Sequence, residues 1–458
     1  MGLCNRRKNR IGQLLSLSLK RIWQIAIGNL LRKLSIGFDV EKYFEESLQY
    51  YNPKSSMREE NAKTLIPESH ELHVGPSACA RRLSIGAYQY HNEDRITNLY
   101  ITEDDIVSGS YEDIIPDAVE ELLELLEKKP RVIIIFVTCI DDLLGTDHEA
   151  LLILLKERFP DIRFITCHID PLIMDRSIKP GMKMLEQLYS VLDKSELREK
   201  CINLIGNKFL LSNKSEFRNI MNSVGWELKE MNACKTFDEY NEMGKSSLNI
   251  VVDPVAKYAA EQMERALDIP LRLTYDSYDL DIIEENYKKI FKAIAEKMPK
   301  LSDYRKSTVK KISETVKYLK NIPIVIDNGA VSRSIPLARA LDKYGFNVKL
   351  VFDGTIIFSD VEDLEWLKEN RPDIKIADGR NFNIMNMKNN LGDCLCIGFS
   401  CGYTLGAKHI VERLPSCFAF GYYGVELLME LMIHAYNTVV DYEKIRERSE
   451  AWKYEPIK

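Results

Sequence analysis

Apolar runs and helical stripes alternate along most of the chain. The plainest run is Arg131-Val132-Ile133-Ile134-Ile135-Phe136-Val137-Thr138-Cys139, continuous rather than alternating. A stretch of this length rich in Val, Ile and Phe predicts a strand buried on both faces, as in a parallel sheet with helices on each side. Before it, Val119, Leu122, Leu123 and Leu126 form an apolar stripe that predicts a helix from about Ile115 to Lys128. After it come a helix over roughly 147–158 and a further strand, Arg163-Phe164-Ile165-Thr166-Cys167-His168. A second unit of the same kind begins at Cys201-Ile202-Asn203-Leu204-Ile205-Gly206. It continues through a helix near 214–224 closed by Gly225 and reaches a strand at Leu248-Asn249-Ile250-Val251-Val252. A long charged helical segment from about 280 to 320 leads to a third unit. There the strands Ile322-Pro323-Ile324-Val325-Ile326, Val348-Lys349-Leu350-Val351-Phe352 and Cys394-Leu395-Cys396-Ile397-Gly398 alternate with helices such as 335–343. Strand, turn and helix repeating at this spacing imply parallel sheets, although no exact sequence repeat accompanies them.

This punctuation divides the chain into a basic amphipathic segment over 1–60, α/β domains over 61–200, 201–320 and 321–435, and a tail over 436–458. At 458 residues there is length enough for several cores. With 45% apolar and 29% charged residues, the composition is that of an ordinary globular protein. The net charge of −6 gives no global case for nucleic acid. Ten cysteines without regular close spacing point to a reducing, cytoplasmic setting rather than to a disulfide framework. Residues 1–33 are the exception to this balance, with eight basic side chains and no acidic one, interleaved with Leu, Ile and Trp23. Lys20 and Arg21 interrupt the apolar run, which fits neither a signal peptide nor a membrane span. Such a helix suits contact with an anionic membrane surface or an acidic partner, or packing on its own or a neighbouring subunit. Gly2 and Cys4 hint at acylation, but Arg6 stands where a myristoylation signal wants Ser or Thr.

Two cysteines stand out by position. Cys139 emerges at the carboxyl end of its strand, where open α/β sheets bind their ligands. His73-Val74-Gly75-Pro76-Ser77-Ala78-Cys79 places another at the edge of what reads as a second apolar strand. Gly75 and Pro76 shape a tight turn there, and the small Ser77 and Ala78 let backbone come close to whatever Cys79 touches. Thiolates on such turns suit soft metals and iron–sulfur clusters. A buried thiol behaving as a small hydrophobe is the competing reading.

Over about 70–435 the pattern resembles the nitrogenase component 1 type of oxidoreductase. Relatives in that family include the dark-operative protochlorophyllide reductase and the reductive cyclase of nickel-tetrapyrrole biosynthesis. The resemblance rests on Gly75-Pro76 followed by Cys79, on Thr102-Glu103-Asp104-Asp105-Ile106-Val107 with Gly109, and on Thr138-Cys139 followed by Leu143-Leu144-Gly145 and Asp147. Asn203-Leu204-Ile205-Gly206 and Gly421-Tyr422-Tyr423-Gly424 complete it. It implies three doubly wound, Rossmann-like parallel-sheet domains around a central cleft. It also implies paired subunits, an iron–sulfur cluster at their interface, and a separate ATP-dependent iron protein-like reductase that docks and delivers electrons.

Carried over by position, Cys79 and Cys139 are the expected cluster thiolates, with Gly75, Pro76 and Thr138 forming their backbone setting. Many relatives have a further cluster cysteine upstream of the Gly-Pro turn, whereas residues 50–72 contain none. Two thiolates cannot hold a four-iron cluster alone. The expectation is therefore a [4Fe–4S] cluster shared between two subunits, either a homodimer or a pair with a related polypeptide. Where nitrogenase proper uses a cysteine of the second domain to bind its large cofactor, this chain has Asp253. No clear match exists for its histidine ligand, Cys417 standing nearby instead. An organic or tetrapyrrole-like substrate then fits better than dinitrogen. A cofactor-assembly scaffold of the same family and a metal-free ligand-binding protein are the alternatives.

Other residues carry weaker signals. His168 and Asp170, at the end of a strand, are candidates for proton transfer because histidine titrates near neutrality. Asp141, Asp142 and Asp147 suit helix capping better than proton donation. His73 suits orienting a cluster neighbour or an exposed position. Cys394, Cys396, Cys401 and Cys417 suggest a second metal site, against which stands the alternation that puts Cys394 and Cys396 on one core face. Tyr422 and Tyr423 suit packing at a domain junction.

Overall fold

A computed structural model describes residues 66–79, 93–169, 178–207, 209–354, 356–378, 389–411 and 420–443. The basic N-terminal segment, Asp170 and Cys417 lie outside these residues. Three parallel sheets follow one another along the chain. The first contains β1 (Ser69–Gly75), β2 (Ile96–Tyr100), β3 (Val132–Thr138) and β4 (Arg163–Ile169), in spatial order β2-β1-β3-β4. The second contains β5 (Glu199–Ile205), β6 (Glu227–Glu230), β7 (Ser246–Val251) and β8 (Leu271–Leu273), in order β6-β5-β7-β8. The third contains β9 (Ile324–Asp327), β10 (Val348–Phe352), β11 (Lys375–Ala377), β12 (Leu395–Ile397) and β13 (His409–Val411), in order β11-β10-β9-β12-β13.

In each sheet the chain first winds to one side of the leading strand and then crosses to the other. The reversal falls between β1 and β3, between β5 and β7, and between β9 and β12. At such a reversal the strand-to-helix connections diverge and leave a crevice beyond the carboxyl ends. Backbones also come close there. A Cβ on Gly75 would lie 2.6 Å from Thr138 Cγ2, so β1 ends against β3 only because that residue is glycine. In the third sheet Gly398, at φ +130°, lies against Asp327 in the same way, where a Cβ would meet the Asp327 Cβ at 2.4 Å. The Asp327 carboxylate in turn accepts hydrogen bonds from the Gly329 and Cys401 backbone N–H groups at 2.7 and 2.8 Å.

Among the described residues the buried apolar side chains divide among four cores. Ile133, Ile135 and Val137 of β3 face the helices Ile114–Leu125 and His148–Arg158. Ile134 and Phe136, on the other face, meet the helix Pro180–Ser190 and share a core with Ile205 and Val251 of the second sheet. The opposite face of the second sheet, with Ile202, Leu204, Leu248 and Ile250, runs without a break into Ile324, Ile326 and Leu395 of the third. Val325, Phe352, Cys394, Cys396 and Cys401 line the far side of the third sheet.

Several sequence expectations change in detail. The charged stretch from 280 to 320 is two helices, Leu280–Ala293 and Ser302–Leu319, separated where Ala295 adopts φ +55°. β1 is buried throughout but is not apolar: Ser69, His70, Glu71 and His73 are each 4% exposed. Its polar groups are paired locally. His70 Nε2 lies 2.9 Å from Thr97 Oγ1, His73 Nε2 lies 2.9 Å from Glu71 Oε2, and the Arg95 guanidinium donates to the Ser69 carbonyl. Such partners offset much of the cost of burying these groups, while His73 Nδ1 is buried without a hydrogen bond. Of the two expectations for His73, the exposed position is overturned: it is an interior residue, and its ring meets Phe136 edge-on at 4.9 Å.

Candidate functional site

The register of β1 against β3 pairs Val74 with Val137, so Gly75 and Thr138 are adjacent strand ends. From these two points the chain leaves the sheet at its reversal. On one side Pro76 opens a turn closed by a 2.9 Å hydrogen bond from the Cys79 N–H to the Pro76 carbonyl, and Ser77, Ala78 and Cys79 are exposed. On the other side Thr138, extended and buried, precedes the helix Cys139–Leu144, whose first residue is half-buried. Neither Cys79 nor Cys139 is in a disulfide. The two thiols, sixty positions apart in the chain, therefore follow neighbouring strand ends at the reversal of the sheet. Their partial exposure fits a cluster-binding role: small residues give a bulky inorganic group room, and an open rim lets a second chain add donors.

The motif residues around this edge have identifiable tasks. Thr102 caps the helix Glu103–Ser108 through a reciprocal box with Asp105, and Gly109 closes it at φ +75°. Asp147 accepts from the Ala150 N–H at 3.1 Å and caps the helix His148–Arg158, as its position suggested. Asp141 behaves differently. It is 1% exposed and caps nothing; Oδ1 accepts from the Tyr111 hydroxyl at 2.9 Å and Oδ2 lies 2.6 Å from His148 Nε2. Burial raises its pKa, but the His148 and Tyr111 hydrogen bonds outweigh that and hold the carboxyl below its usual range. His168, on β4 beside Val137, places Nδ1 4.0 Å from the same Asp141 oxygen, and its ring meets that of His148 edge-on at 4.7 Å. Sequence reasoning singled out His168 but missed His148, which has no motif and joins the group only through the fold.

The other candidates are not at this edge. Asp253 caps the short turn Pro254–Ala256 beyond β7, its Oδ1 accepting from the Val255 N–H at 2.9 Å. Cys394 and Cys396 have their sulfurs 4.0 Å apart in the apolar core beside Phe352, and Cys401 adjoins them. For Cys394 the neighbouring Cys396 thiol, then burial, pushes the pKa far up, and burial raises that of Cys401. Both are held as neutral thiols, which matches the core reading. Tyr422 stacks between Tyr287 and Tyr304 at the junction of the second and third units.

Comparison with known proteins adds three findings. The family profile described as nitrogenase component 1 type oxidoreductase matches residues 62–434. The nitrogenase iron-molybdenum cofactor biosynthesis protein NifE of Clostridium pasteurianum is 24% identical over 318 residues, spanning 66% of this chain and 68% of that one. Two solved structures, "Nitrogenase Cp1 at pH 6.5" and "Nitrogenase Cp1 at pH 5", superpose with TM-scores of 0.66 and 0.56. They share 16% and 15% identity with it, and cover 88% and 82% of this chain and 94% and 87% of their own. That likeness speaks to the fold.

Proposed function

The chain belongs to the nitrogenase component 1 type oxidoreductase family, and from that premise we propose that it is an electron-accepting oxidoreductase subunit with an interfacial [4Fe–4S] cluster. The observation that carries this reading is the adjacency of Gly75 and Thr138, which brings the Cys79 turn and Cys139 to one crevice. Two thiols per chain are half of what a four-iron cluster needs, so a second copy, or a related subunit, supplies the other two. A bound cluster contributes single-electron redox chemistry at low potential. The chain's own part is to present Cys79 at an exposed turn, to hold Cys139 at the start of its helix, and to pack Gly75 on Thr138 so that both stay in register. Electrons come from an ATP-dependent iron protein-like reductase, and the acceptor is an organic or tetrapyrrole-like molecule. Asp253, a hard oxygen donor where nitrogenase proper has a thiolate, supports an acceptor of that kind over a large metal–sulfur cofactor.

Anaerobic purification with iron and sulfide analysis and electron paramagnetic resonance tests the proposal. About four irons per dimer are expected, lost in Cys79→Ala and in Cys139→Ala. Four irons per monomer would reject the shared arrangement, and a colourless, iron-free protein would reject the cluster. A second reading, assembly of a metal cofactor without turnover, draws on the NifE relative. Turnover of a supplied substrate with a matched reductase separates the two.

A further inference from the structure

Beside the thiol pair, on the same edge of the first sheet, Asp141, His148 and His168 place one ligand atom each within 4.8 Å of one another. We propose that these three side chains form a binding site for a divalent transition-metal ion such as Zn2+, separate from the thiols of Cys79 and Cys139.

The donor set selects the chemistry. Two imidazole nitrogens and one carboxylate oxygen suit zinc and its neighbours in the first transition row, whereas magnesium and calcium prefer oxygen alone and thiophilic ions prefer sulfur. In a tetrahedral zinc site with bonds near 2.1 Å, ligand atoms stand about 3.4 Å apart. Here His148 Nε2 is 2.6 Å and His168 Nδ1 4.0 Å from Asp141 Oδ2, so the contacts bracket that spacing. Shifts of about 0.6 to 0.8 Å in two partly exposed imidazoles would bring both contacts to that spacing and admit an ion. The His148 and His168 side chains are 20% and 22% exposed, which leaves one side for water or another ligand.

The packing argues the same way. The His148 and His168 rings meet edge-on with centroids 4.7 Å apart beside one buried carboxylate, whereas a simple ion pair with Asp141 would need only His148. The Tyr111 hydroxyl, donating to the far oxygen of Asp141, fixes the carboxylate from behind as outer-shell donors do at metal sites. The three ligands come from three rigid elements, the helices Cys139–Leu144 and His148–Arg158 and β4. His168 then acts as a ligand rather than as the proton donor its titration range suggested.

The test uses the full-length Cys79→Ser/Cys139→Ser protein, freed of metal, so that the thiols take no ion. Zn2+ is titrated against a chromophoric chelator, and Co2+ is added separately to read the ligand set from its visible spectrum. One equivalent per chain is expected, with cobalt bands of nitrogen and oxygen ligation and no thiolate charge transfer. Tyr111→Phe should weaken binding by about 10–100-fold, and His148→Ala or His168→Gln by more. The two imidazole variants are independent arms should one fail to fold. Absence of a saturable equivalent, or affinity unchanged in a folded His148→Ala or His168→Gln protein, overturns the site and leaves Asp141–His148 as an ordinary ion pair.

Discussion

Gly75 and Thr138 touch so closely that a single added methyl group on Gly75 would lie 2.6 Å from the Thr138 Cγ2. The contact joins the ends of the two strands that deliver Cys79 and Cys139, and it makes the spacing of the thiols depend on a residue that carries no chemistry. Gly75→Ala should therefore destabilise the protein by about 1–3 kcal/mol through overpacking and lower its retained iron. Adding Thr138→Ala, which removes the opposing atoms, should restore both. Denaturant midpoints and iron counts on the single and double variants check this; a double variant no better than the single would mean that the clash is absorbed elsewhere.

His70 makes the same strand sensitive to acid. Burial, helped by the Arg95 cation, lowers its pKa from 6.5 to about 4 in the fold. The neutral ring is thus the native form: its contribution is complete above pH 6.5 and is lost as the pH falls through 4. Of order 2–3 kcal/mol should disappear over that window. His70→Gln, which can still bond Thr97, should show a flatter profile in urea unfolding between these two values. An unchanged slope would place the acid sensitivity in other groups.

Glu216 links the second and third units. It is 4% exposed, and its carboxylate accepts from the Tyr287 hydroxyl at 2.9 Å, from the Tyr423 N–H at 3.0 Å and from the Tyr422 N–H at the start of the helix Tyr422–Asn437. Burial raises its pKa despite these donors. The sign follows: stability tied to protonated Glu216 is present below 4.5 and declines as the pH rises through the raised native value. Glu216→Gln should remove this decline. Glu216→Ala should cost about 2–4 kcal/mol, because three donors lose their acceptor, and stability curves across pH would separate the two effects.

The cysteines of the third sheet serve as a control. Cys396 is fully buried among Val325, Phe352 and Cys394. Cys396→Ser should lower stability by about 1–3 kcal/mol, the cost of a hydroxyl in an apolar site, and leave iron content unchanged. A loss of iron in a folded Cys396→Ser protein would revive a metal role for this group.

The fold was legible wherever hydrophobic periodicity was strong. The β3 run is where its composition puts it, because a strand buried on both faces needs an unbroken apolar run, and the Val348–Phe352 strand is found in spite of Lys349, since its other four residues are apolar and buried. β1 was misjudged as apolar, since its burial depends on local pairs such as Glu71 with His73, which composition does not reveal. Short strands such as β8 and β13 were missed: three residues hold too little pattern, and their position comes from pairing with neighbours. The thiols could be singled out because each follows a turn with a distinctive sequence. Asp141 was singled out only as a capping residue and His148 not at all, because only the approach of Tyr111 and His148 turns a capping-type aspartate into a buried acceptor.

The second sheet shares one of its apolar faces with the first sheet and the other with the third. Peeling either neighbour away would open a surface that the middle layer cannot cover by itself. Calorimetry should accordingly record one endotherm whose van't Hoff and measured enthalpies agree, not three successive peaks, and a fragment ending between sheets should expose sticky surface and aggregate rather than fold.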